Sequence, residues 1–159
     1  MKIRIISVGK IREPFYLAGL QEYLKRLRPY VRMEFSDGLE EKTDARAGVG
    51  ELERLLDREA GRVLNLIKKD ELLIALHLQG QELNSLELAE KVDIWQQSGK
   101  SRVNFVIGSA WGLSREIIKR ADCSWSFSQL TFPHQMAVLI LAEQIYRSYK
   151  ILKGEPYHH

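Results

Sequence analysis

The sequence predicts an α/β fold in which a mostly parallel sheet is covered by helices on both faces. Three observations predict it. Short apolar runs alternate with amphipathic stretches of helical period along the whole chain. The later runs, 72–78 and 103–107, are apolar at nearly every position, as in strands buried on both faces. A glycine follows each of them, Gly80 and Gly108, where a strand must turn toward its helix.

Taken in order, Lys2-Ile-Arg-Ile-Ile-Ser-Val-Gly9 alternates and then turns apolar, a first strand ending at a glycine. After Pro14 the apolar positions Phe15, Leu17, Leu20, Tyr23, Leu24 and Leu27 recur at helical spacing, and Pro29 stops the helix. Residues 31–35 form a short second strand, and the polar stretch 36–50 reads as a mobile loop. Leu52, Leu55, Leu56, Val63, Leu64 and Ile67 mark a second helix, interrupted near Gly61. The strand at 72–78 leads to a third helix over 83–97 that Gly99 closes. The strand at 103–107 runs into Gly108-Ser-Ala-Trp-Gly112. Ser114 caps a short helix to Arg120, and 125–127 is the last strand. Pro133 suits a helix start and opens the final helix, 134–153.

At 159 residues the chain fits one domain, 1–159, with enough length to bury a core unaided. No apolar run has the length of a membrane span. The single cysteine, Cys123, excludes a disulfide framework and a cysteine-based zinc site within one chain, which suits a reducing, cytoplasmic setting. The net charge is only +3, yet residues 1–32 carry eight basic side chains against two acidic ones, and 33–59 reverse the sign. A basic lobe attracts a polyanion by steering and counterion release. A solvated helix face has the same composition, and charge by itself does not separate the two.

Ligands in such sheets bind beyond the carboxyl ends of the strands. Three such ends carry suggestive loops: 76–80, 108–112 and 127–132. None matches the phosphate-binding G-x-x-x-x-G-K-[ST] or the dinucleotide G-x-G-x-x-G pattern, which argues against an oxidoreductase using a dinucleotide. His134 at a helix start reads first as a structural hydrogen-bonding residue. Met136 to Ala142 is apolar all round, which calls for cover beyond one sheet face, and a two-fold dimer contact supplies it economically. Glu143 and Arg147 stand four apart, acid first, as a helix-aligning pair or as an arginine held ready for phosphate. The terminal Tyr157-His158-His159 offers a stacking ring and two imidazoles that titrate near neutrality.

Leu76 with Gly80, Val106-Ile-Gly108, Leu113-Ser114, Leu130-Thr-Phe-Pro-His134, Ala142-Glu-Gln-Ile-Tyr-Arg147 and Pro156-Tyr-His158 together resemble the ribosomal large-subunit pseudouridine methyltransferase H family, of the SPOUT superfamily of knotted methyltransferases. The resemblance runs the length of the chain. It implies a C-terminal deep trefoil knot, a homodimer packed through the knot region and S-adenosylmethionine as methyl donor, with no metal. It implies methylation of N3 of a pseudouridine in 23S rRNA on the assembled ribosome. The family's cofactor positions carry over onto Leu76, Gly108, Phe127, Ser128, Gln129, Leu130, Thr131 and Phe132. His158, Tyr157 and Arg147 are the catalytic candidates: His158 to position or deprotonate the nucleotide, Tyr157 to stack, Arg147 to meet phosphate.

The sequence departs from the family pattern at three positions. Ser109 stands where many members have glycine, and it cannot take every conformation open to glycine. Val138 stands where they have arginine, which removes an RNA or dimer contact, and His159 stands where lysine or arginine is usual. These departures motivate the rival reading, a ribosome-binding module that has lost cofactor activity.

Overall fold

A computed structural model describes residues 1–157. The elements follow one another as β1 (Lys2–Ser7), α1 (Pro14–Leu27), β2 (Arg32–Ser36), α2 (Val49–Asn65), β3 (Leu72–Glu82), α3 (Ser85–Gln97), β4 (Arg102–Ile107), α4 (Arg115–Arg120), β5 (Cys123–Ser126) and α5 (His134–Leu152). Five strands form a single sheet in the order β2-β1-β4-β3-β5, and every pairing is parallel. The α/β expectation, with both faces covered, holds.

Side-chain alternation divides the core in two. Ile3, Ile5, Ile74, Val103 and Phe105 face α1, α3 and α5, whose Leu20, Leu88 and Leu141 are buried against them. Ile6, Leu73, Ala75 and Val106 point the other way, onto Ala60 and Val63 of α2 and Ile117 of α4. Helices thus cover both faces, and the central strands must be apolar on both sides.

Two devices set the ends of helices near the cleft. Asn84 caps α3 by accepting from the amides of Leu86 and Glu87, while the Glu87 side chain accepts from the Asn84 amide, a closed capping box. At α5, Gln135 Oε1 accepts from the amides of Arg12 and Glu13, at 2.8 and 2.9 Å, which fastens the segment after β1 to the start of α5.

Four expectations are refined. α2 runs without a break through Gly61, because packing of Leu55, Ala60 and Val63 outweighs the weak helix propensity of one glycine. The start of the stretch after β2 is tied down by hydrogen bonds: Asp37 accepts from the Ile11 amide, the Leu39 amide donates to the Val8 carbonyl, and Arg62 reaches the Leu39 carbonyl. β3 continues past Leu78 to Glu82 across an irregularity in which Trp125 is the partner of both Leu76 and Gln81, so 77–80 bulge out of the ladder. Lastly, α5 packs between α1 and α3, where Leu139 lies against Gly19 of α1. Its all-round apolar stretch is therefore covered largely within the chain, and that stretch does not by itself require a second copy.

Candidate functional site

The carboxyl ends of β3, β4 and β5 surround a cleft of about 710 Å³, within the range of small-molecule sites. Leu76, Gly108, Phe127, Ser128, Leu130, Thr131 and Phe132 all line it, gathered from three loops that are far apart in sequence. Gln129 is the exception among the expected cofactor positions. Its amide donates to Glu82 Oε1 at 2.6 Å, and its side chain is not part of the lining.

Each loop is shaped by a specific constraint. Gly108 has no room for a side chain, since a Cβ there would lie 2.4 Å from the Gly112 carbonyl oxygen. The turn closes through the Gly112 amide donating to the Ser109 carbonyl at 3.0 Å, with Gly112 in the left-handed region at φ +87°. Gly80 is as tightly placed, since its Cβ would come within 2.7 Å of the Ser124 and Trp125 backbone. In the third loop, Ser126 Oγ donates to the Ser128 carbonyl and the Leu130 amide donates to Ser128 Oγ, both at 3.0 Å. Phe127 stands edge-on to Trp125 at 4.8 Å, giving the cleft an aromatic floor.

Two of the three departures from the family pattern are absorbed, and the third, His159, lies outside the described residues. Ser109 does not have a positive φ, so the turn asks nothing of it that only glycine provides. Its hydroxyl donates to Glu59 Oε2 at 3.1 Å. Val138 is fully buried in the core, where its side chain packs rather than reaching RNA or a second copy. His134 donates from Nε2 to the Lys10 carbonyl, 3.1 Å away, and covers Gly9, in line with the structural role expected of it.

Within the loops 76–80 and 108–112 that the sequence singles out, several lining residues were not named individually. His77 and Leu78 reach the cleft only because 77–80 bulge from β3, and Trp111 stands exposed in the Gly108–Gly112 turn. An aromatic inside a glycine-bounded turn was the available signal for Trp111; the bulge left none.

A second polar cluster sits further along α5. Arg147 donates to Glu143 Oε1 from Nε at 3.0 Å and from a terminal nitrogen at 2.6 Å. The Tyr157 hydroxyl donates to the same oxygen at 3.1 Å, and the guanidinium lies 4.8 Å from the Tyr157 ring centre. Burial, then Tyr23 and Glu143, hold the Tyr157 phenol well above its ordinary pKa, so it stays a proton donor. The Glu143 hydrogen bond raises Arg147 further. Glu143 is thus the shared acceptor of Arg147 and Tyr157, a role beyond the helix pair the spacing suggested. His158, the third catalytic candidate, lies outside the described residues, as does His159.

Among the described residues, no group of three or more His, Cys, Asp or Glu is placed to hold a metal ion. No helix among them is long and apolar enough to cross a membrane.

A solved probable methylase family protein from Haemophilus influenzae aligns over 99% of this chain and 70% of its own, at a TM-score of 0.52 and 14% identity, a likeness of fold. The family model described as "Predicted SPOUT methyltransferase" matches residues 1–158. Proteins named ribosomal RNA large subunit methyltransferase H are similar at 58% identity in Syntrophomonas wolfei and 48% in Desulfitobacterium hafniense, covering 99% of both chains in each case. One from Enterococcus faecalis is 40% identical over the same share. The chain therefore belongs to the ribosomal RNA large subunit methyltransferase H family of SPOUT methyltransferases.

Proposed function

We propose that this protein transfers a methyl group from S-adenosylmethionine to N3 of a pseudouridine in 23S rRNA on the assembled ribosome. The observation that carries the reading is the cleft: seven of the eight expected cofactor positions converge on one cavity of about 710 Å³. Its walls suit the donor. Trp125, Phe127 and Phe132 supply apolar surface for an adenine ring, and the tight turns at 108–112 and 126–130 present backbone groups at close range.

The donor's sulfonium makes its methyl group electrophilic without help. What remains for the protein is alignment of the nucleophile and removal or stabilisation of the N3 proton. Arg147 and Tyr157, with His158, are the groups assigned to the nucleotide. The Glu143 carboxylate orients both Arg147 and Tyr157, and the fixed guanidinium meets the RNA backbone.

The two clusters are separated within one chain. Glu143 and Arg147 stand nine and thirteen positions after His134, which lines the cleft. At the rise of an α-helix that is about 14 and 20 Å along the axis. We infer that a homodimer brings one copy's Glu143–Arg147–Tyr157 cluster to the other copy's cleft. The exposed Leu78, Trp111 and Leu130 at the cleft mouth are suited to be covered in that way. The reading includes one domain over 1–159, a cytoplasmic location and a trefoil knot in the C-terminal part. Family membership supports the knot.

The test is incubation with labelled S-adenosylmethionine and ribosomes that lack the modification. Label at a pseudouridine of the large-subunit rRNA is expected. A folded protein that leaves that rRNA unlabelled would sink the proposal.

A further inference from the structure

Helix α2 turns two carboxylates, Asp57 and Glu59, toward the loop that joins β4 to α4. Glu59 is 2% exposed. Its Oε2 accepts from the Ser109 hydroxyl at 3.1 Å, and its Oε1 accepts from the Glu41 amide at 3.0 Å. Two residues earlier, Asp57 Oδ1 accepts from the Ser114 hydroxyl at 3.1 Å. Ser109 lies within the Gly108–Gly112 turn and Ser114 just beyond it, so α2 holds the turn near both ends.

The turn needs holding. Ser109, Ala110 and Trp111 line the large cleft on one side and a second cleft, of about 230 Å³, on the other. A partition with space on both sides is not fixed by packing, and polar contacts must set its position. The opposite side of Glu59 is anchored too, because Arg62 donates to the carbonyls of Leu39 and Glu40, at 3.0 and 3.3 Å, next to the Glu41 amide.

We propose that Glu59 is a positioning residue for the methyl-donor cleft: it locks the Ser109–Trp111 wall to the segment after β2, so donor affinity depends on a carboxyl group that does not line the donor's cleft. The inference rests on assigning the larger cleft to the donor. Without the carboxyl, the Ser109 hydroxyl and the Glu41 amide lose their shared acceptor, and the wall relaxes. Donor binding then weakens more than turnover at saturating donor, because a bound donor itself helps to hold the wall in place. A purely structural glutamate would change the melting temperature and leave the donor constants alone.

The experiment is calorimetric titration of the full chain with S-adenosylmethionine and S-adenosylhomocysteine, with steady-state kinetics on ribosomes. Glu59→Ala is expected to weaken donor binding about tenfold, with the rise in donor KM exceeding any fall in kcat. Glu59→Gln stays within about twofold of the wild type, because its carbonyl accepts from Glu41 and its amide donates to Ser109 Oγ. Ser109→Ala weakens binding about threefold, and the double variant Glu59→Ala with Ser109→Ala is no weaker than Glu59→Ala alone, since both changes break one bond. Unchanged affinity in Ser109→Ala, or additive losses in the double variant, overturns the proposal. If Glu59→Ala does not fold, Ser109→Ala and Glu59→Gln still carry the test. A wild-type chain that binds neither ligand overturns the donor assignment itself, and the positioning role with it. A wild type that binds, beside a folded Glu59→Ala of equal affinity, overturns the positioning role alone.

Discussion

Glu34 lies between two arginines at the amino end of the sheet. Arg4 donates to it at 3.1 Å and Arg102 at 3.0 Å, and Arg102 also holds the buried Glu71 at 2.7 Å. Burial alone would raise the Glu34 carboxyl, but hydrogen bonds and charge from Arg4 and Arg102 win, and its pKa is lowered. A lowered folded-state pKa gives stability that is present above the unfolded value and lost as pH falls through the folded one. Glu34→Gln should therefore cost about 1–3 kcal/mol in denaturant unfolding at neutral pH, by leaving two half-buried guanidinium groups short of an acceptor. The difference from the wild type should close as the medium is acidified below the carboxylate range. Glu59 has the opposite sign. Burial pushes its carboxyl up, against the hydrogen bonds from Glu41 and Ser109 and with the charges of Glu40 and Glu41. Its contribution to stability is full below the unfolded pKa and declines as pH rises through the folded one. Glu59→Gln should accordingly remove that decline, measurable as a smaller loss of melting temperature between mildly acid and neutral pH.

Loops and helix ends are more sharply specified than the strands between them. The turn after β4 tolerates glycine alone at 108, where a Cβ would overlap the Gly112 carbonyl. Gly108→Ala should destabilise the chain by about 1–3 kcal/mol and abolish donor binding, read by thermal unfolding and calorimetry on the same sample. By contrast Asn84, which does not line the cleft, caps α3. Asn84→Ala should cost about 1 kcal/mol of stability and leave donor affinity unchanged. The pair separates a loop that forms the site from a helix end that only supports the fold. Helix propensity and turn chemistry made both legible, because capping residues and turn glycines act on their own few neighbours. The bulge at 77–80 was not legible, since it arises from how β3 and β5 share Trp125, residues far apart along the chain.

At the scale of the whole molecule, α5 leads from the cleft at His134 to the Glu143–Arg147–Tyr157 cluster, which stands apart from it. A chain ending at Pro156 should bind S-adenosylmethionine normally and fail to methylate, because the donor cleft is untouched while Tyr157 and the residues after it are gone. Full activity of that truncation would refute the role given to the tail. Mixing the truncated chain with Gly108→Ala should restore about a quarter of wild-type activity, because half of randomly exchanged dimers carry one intact composite site out of two. No recovery on mixing, with exchange verified by mass, would place both clusters of each site in one copy.

The sequence by itself determined the alternation of strands and helices, the burial of the central strands on both faces and the three loops that meet at the cleft. These are properties of local period, local turn chemistry and motif strings, each readable within a short window. Only the tertiary structure decided that α1 and α3 cover the apolar face of α5, that Gln129 turns away to Glu82, that Ser109 is answered by Glu59, and that Arg147 and Tyr157 share Glu143. The physical reason is sequence separation. Apart from the helix pair Glu143–Arg147, each of these contacts joins residues well apart along the chain, and only packing brings such groups within hydrogen-bonding range.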